Sequence, residues 1–71
     1  MDELSIQILS VPHREKLIAE IQYSHHVIAE INQDREYVEI EVFSYDDFPI
    51  ALPIDNFIEV IKEAKAKLLE E

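Results

Sequence analysis

Through the first 43 residues of the chain apolar side chains recur at every second position, and after Asp55 they recur at every third or fourth. Period two puts side chains on alternate faces of a strand, whereas period 3.6 puts them along one face of a helix. The chain therefore divides into a sheet-forming part and a helical part. Leu4, Ile6 and Ile8 alternate until Pro12 stops the run, which predicts a strand near 4–10. Leu17, Ala19, Ile21 and Tyr23 predict a second strand near 16–23, and Val27, Ala29 and Ile31 a third near 27–32. The clearest alternation predicts a fourth at 37–43, with Val38, Ile40 and Val42 on one face and Tyr37, Glu39, Glu41 and Phe43 on the other.

The segment Ser44 to Pro49 has the composition of a loop, and Ile50-Ala51-Leu52, between two prolines, has room only for a short edge strand. Asp55 is a suitable N-cap, while Lys62, Lys65 and Lys67 gather toward the C-terminus as a helix dipole favours. A helix is expected near 56–69. Phe57, Ile61, Ala64 and Leu68 form its apolar stripe, widened by Ile58 and Val60, so one face must be buried against the preceding sheet. The expected fold is α+β: a single domain over 1–71, made of an antiparallel β-meander of three to five strands with one C-terminal amphipathic helix packed on one face.

Composition narrows the function. Sixteen acidic against six basic residues give a formal charge of −10, the wrong field for a nucleic-acid backbone or an anionic membrane, so a basic partner is expected. Apolar content of 48% is too high for a disordered chain. The start Met-Asp-Glu-Leu-Ser has no basic region, and the apolar runs are short. Neither a signal peptide nor a membrane span is expected, and the reading is cytoplasmic. A core this small supplies only ~3–5 kcal/mol, and no cysteine is present to add a disulfide or a thiolate-bound metal. A partner or self-association is expected to add to it.

Short connections allow the strand registers to be worked out in advance. A three-residue loop at Ser24-His25-His26 pairs Tyr23 with Val27, Ile21 with Ala29, and Glu20 with Glu30. A two-residue turn at Asp34-Arg35 pairs Ile31 with Val38 and Ala29 with Ile40, placing Glu30 opposite Glu39 and Ile28 opposite Glu41. These registers line up Glu20, Glu30 and Glu39 across three strands, with Glu41 close by and Ile18, Ile28, Tyr37 and Phe43 interspersed. Between Leu17 and Ile61 there are ten acids against one base, Arg35. Like charges directly opposite cost ~0.2–1 kcal/mol per pair, so Glu30→Lys is expected to stabilise the isolated chain. Such a face is either a solvated surface kept acidic for solubility, or a docking surface with apolar anchors in a charged surround. On the docking reading the partner-binding residues are Glu20, Glu30, Glu39, Glu41, Tyr37 and Phe43, extended by Asp46 and Asp47 in the following loop.

Other constellations carry less. Adjacent His25 and His26 diverge in an extended segment and suit a turn better than a metal, because His tolerates positive φ and the chain has no glycine. Asp46-Asp47 lack Ca²⁺-loop spacing. With no cysteine, no phosphate-binding glycine loop and no nucleophile elbow, neither an enzyme nor a cofactor is expected.

The strands Leu-Ile-Ala-Glu-Ile (17–21) and Val-Ile-Ala-Glu-Ile-Asn-Gln (27–33), followed by an acidic strand and a terminal amphipathic helix, resemble small immunity proteins encoded beside bacterial polymorphic or contact-dependent toxins. The resemblance covers most of the chain as a pattern, without a diagnostic motif. It implies a stoichiometric inhibitor that caps a cationic toxin domain, often a nuclease whose basic groove is neutralised by carboxylates. A self-associating structural domain, possible as a homodimer, and a nucleic-acid mimic that blocks a DNA- or RNA-binding protein are the alternatives.

Overall fold

The computed structural model describes residues 3–43 and 50–70. Four strands, β1 (Leu4–Leu9), β2 (Ile18–Tyr23), β3 (His26–Asn32) and β4 (Glu39–Val42), precede one helix, α1 (Ile54–Glu70). The strands form an antiparallel sheet in the order β1-β2-β3-β4, so the fold is α+β, a meander with one C-terminal helix. Strands two and four are shorter than their alternation suggested, and residues 50–53 belong to no strand. The helix starts earlier than expected, at Ile54. Asp55 sits inside its first turn rather than at the cap, and the Phe57 N–H donates to the Pro53 carbonyl at 3.1 Å. The acid still complements the helix dipole from there.

The core lies between α1 and one sheet face. Ala19, Ile21, Ala29 and Ile31 meet Val60, Ala64 and Leu68, and Leu4, Ile6, Ile8, Tyr23, Phe57 and Ile61 pack around them. Three alanines with no exposed surface, Ala19, Ala29 and Ala64, mark where helix and sheet come together. The buried stripe is centred on Val60, Ala64 and Leu68, and Ile58, expected to widen it, faces out. The helix packs on β1 and β2. A helix is ~10–12 Å wide and strands are ~4.8 Å apart, so one helix covers about two strands of four.

The β2–β3 hairpin matches the expected register from Ala19↔Ile31 through Glu20↔Glu30 to Ile21↔Ala29, and then departs from it. Gln22 pairs with Val27 and Tyr23 with His26, leaving Ile28 as the extra residue of a β-bulge. The bulge corrects two expectations at once. Ile28, expected on the acidic face, joins the core at 4% exposure, and Val27, expected inside, pairs with Gln22. The loop shrinks to Ser24-His25, whose φ angles of 48° and 73° both lie in the left-handed region. Two positive φ values define the primed hairpin turn whose twist matches the strands, here made without glycine.

The β3–β4 register is also corrected. Ile31 pairs with Ile40 rather than Val38, Ala29 with Val42, Glu30 with Glu41, and Asn32 with Glu39. The cause is Asn32, whose side chain is fully buried. Its Oδ1 accepts the Asp34 N–H at 3.3 Å and its Nδ2 donates to Glu39 Oε1 at 3.3 Å. This Asx-type turn starts the connection at 33 and carries it to 38, instead of closing it at Asp34-Arg35. Side-chain direction survives the shift, because it is an even number of residues.

Candidate functional site

The face of the sheet opposite α1 carries a row formed by Gln7, Glu20, Glu30 and Glu41, one residue from each strand, directly opposite their neighbours. Glu39 stands one step along, opposite Asn32. The carboxylate row is thus present, with Glu41 in the place expected for Glu39.

A base absent from the expected face, Arg14, lies on this row. Val11-Pro12-His13-Arg14 forms a turn in which the Arg14 N–H donates to the Val11 carbonyl at 3.2 Å, and Pro12 supplies the fixed φ that such a turn favours in its second position. The turn brings Arg14 to the acidic face. Its Nε and Nη2 both reach Glu30 Oε2 at 2.9 Å, and its Nη1 reaches Asp34 Oδ2 at 2.8 Å. The guanidinium pKa is held above its ordinary value, the hydrogen bond to Asp34 contributing most and partial burial opposing it.

Glu30 is therefore only 6% exposed, part of the structural base of the face, with a carboxylate opposite it on each side and an arginine bonded to it. With Glu30 buried against Arg14, Glu30→Lys is now expected to destabilise the chain, since a lysine there would meet Arg14 in a largely dry position, and denaturant melts decide between the two expectations. Ile18, on the same face two residues before Glu20, is fully buried as well.

The other expected site residues separate by environment. Glu20 is half-buried and accepts from Gln22 Nε2 at 3.3 Å, and the same amide also reaches Gln7 Oε1 at 3.2 Å. Glu39 is half-buried, bonded by Asn32 and paired with Arg35 at 3.0 Å. Glu41 is exposed, with no base against it among the described residues. Tyr37 is exposed in the connection before β4. Phe43 is half-buried just after it, its N–H donating to the Ile28 carbonyl at 2.9 Å. Asp46 and Asp47 lie outside the described residues.

The sheet's other face has a bare part on β4. Ile40 and Val42 project toward the helix side, paired with Ile31 and Ala29, but α1 does not reach them and they remain 39% and 63% exposed. Ile40, with Ile31, Val38 and Glu39, borders a shallow groove closed on its far side by Ile61 and Lys65 of α1. Strand β4 thus carries Glu39 and Glu41 on one face and bare Ile40 and Val42 on the other. No helix among the described residues is long and apolar enough to cross a membrane. No protein-family model, curated protein or solved structure matches the chain.

Proposed function

We propose that this chain is a small acidic, non-catalytic binding protein that captures a basic protein partner, acting as an immunity-type inhibitor of a cationic toxin domain such as a nuclease. The observation that supports it most is β4, where exposed carboxylate and exposed aliphatic side chains share one short strand beside Tyr37 and Phe43. With a chain charge of −10 behind it, that combination steers a cationic surface in and then holds it by desolvated apolar contact.

The test begins with affinity capture of the partner at low salt and its identification, followed by association kinetics across ionic strength. The expected result is a basic protein bound in stoichiometric amount with a steeply salt-dependent on-rate. Glu39→Gln with Glu41→Gln should mainly slow association, and Tyr37→Ala or Phe43→Ala should mainly speed dissociation. An affinity unchanged by salt and by both sets of variants would remove the proposal. Competition of the captured partner with DNA or RNA separates a nucleic-acid mimic from a toxin inhibitor.

The self-association reading is favoured by one observation, that the open edge strand β1, Leu-Ser-Ile-Gln-Ile-Leu, carries no charge to oppose pairing with a second copy. Light scattering at low and high salt tests it: a salt-indifferent dimer supports it and a monomer at both removes it.

A further inference from the structure

We infer that β4 is an acceptor edge, on which the partner docks by adding one extended strand of alternating apolar and basic residues. The inference rests on the basic-partner reading above and says how that partner is held.

Backbone direction is the first support. The Phe43 N–H points to β3, where it bonds Ile28, so by period two the main-chain groups of Glu39 and Glu41 also face β3 while those of Ile40 and Val42 face the open edge. Strand β4 is last in the sheet order, and no described strand pairs with that side. An added strand would find unpaired donors and acceptors at Ile40 and Val42.

Side-chain alternation gives the occupant its chemistry. On the helix side the incoming strand would lie beside Ile40 and Val42, which α1 leaves bare, and on the other side beside Glu39 and Glu41. Apolar residues fit the first and lysine or arginine the second, so the edge selects a residue pattern of period two.

The same geometry disfavours a second copy of this chain here. Two β4 strands paired antiparallel about a two-fold axis normal to the sheet must centre on a residue. Centring on Ile40 puts Glu39 opposite Glu41 twice, and centring on Glu41 puts that carboxylate opposite its own copy. Of the registers centred on a residue of β4, only the one on Val42 avoids opposed carboxylates, and it carries Glu39 and Ile40 past the end of the copy's strand, so little of the edge is paired.

The probe is a synthetic peptide of alternating lysine and valine, about seven residues long. Its control has the same composition with lysines and valines in two blocks. Amide hydrogen exchange of the full chain is followed by NMR, together with peptide affinity. The alternating peptide should slow exchange at Ile40 and Val42, and the block peptide should not. Val42→Pro removes an edge-facing N–H without removing a bond to β3, so it should keep the fold and weaken the alternating peptide about tenfold or more.

If the two peptides bind alike, lose affinity together in Glu39→Gln with Glu41→Gln, and leave Ile40 and Val42 unprotected, strand addition is overturned while the basic-partner reading stands. If neither peptide binds at low salt, both fall. Protection of these amides in the peptide-free chain also overturns the inference, because the edge is then already occupied, and sedimentation tells whether by a second copy.

Discussion

The two edge strands of the sheet have similar alternating sequences and opposite circumstances. In β1, Leu4, Ile6 and Ile8 lie against the core under α1, and the intervening Ser5 and Gln7 are neutral. In β4, Ile40 and Val42 stand uncovered, and the intervening positions are glutamates. Alternation alone gives both strands an apolar face, but which face is buried depends on where one helix comes to rest. A charge pattern that looks like mere solubility when read along the chain becomes, on the uncovered strand, a description of what could cover it.

The largest expected effect tests how the two halves of the sheet are joined, because Arg14 comes from the β1–β2 connection and bonds Glu30 on β3 and Asp34 beyond it. Arg14→Met strands a largely buried carboxylate and should lower the thermal midpoint by about 10 °C or more in circular-dichroism melts. Arg14→Met combined with Glu30→Met should recover most of that loss, since a buried pair replaced by apolar groups of similar size is tolerated. A single variant as stable as the parent would mean the halves stand independently.

Next in size is the contrast between the edges themselves. Ile6→Ala should cost about 2 kcal/mol in denaturant melts and Ile40→Ala well under 1 kcal/mol, since only the first removes packing beneath the helix. Equal costs would erase the distinction between covered and bare strands.

The hairpin between the halves gives a smaller effect of opposite sign. His25, at φ 73°, occupies a conformation that glycine adopts without a Cβ penalty, so His25→Gly should stabilise by up to about 1 kcal/mol. Destabilisation would show that the imidazole itself contributes.

The smallest effect is in alkaline solution. Glu3, just before β1, raises the Tyr23 pKa above its ordinary 10.0, chiefly by its charge, with desolvation and a hydrogen bond adding to it. Because the folded value is the higher one, the associated stability is present below pH 10 and is lost as the pH rises through the folded pKa. Glu3→Gln should reduce that alkaline loss, as seen in melts across the range together with tyrosinate absorbance.

Much of this was legible in the sequence because period is local. The four strands, the helix and the pairing of Glu20 with Glu30 follow from alternation and the repeated Ile-Ala-Glu-Ile. Where the reading slipped, a side chain or a backbone irregularity had set the geometry. The bulge at Ile28 carries no glycine or proline signal, and the Ser24-His25 turn lacks the asparagine-glycine pair that marks its class. Asn32 moved the β3–β4 register by capturing the Asp34 N–H, which no hydropathy pattern records. Arg14 was missed because Pro12 looked only like the end of a strand, although a proline in a short connection is also a signal that the chain turns and places whatever follows.

The half-covered sheet has a consequence for how long the molecule lasts. With α1 packed on β1 and β2, a core of this size is expected to supply only ~3–5 kcal/mol, which leaves a small fraction of free molecules open to proteases. A partner that engages only the folded form adds about 2.7 kcal/mol at a hundredfold excess over its dissociation constant, reducing that open fraction roughly a hundredfold. If the proposed partner binds in this way, unbound copies are cleared faster than bound ones, and the amount of the chain follows the amount of that partner.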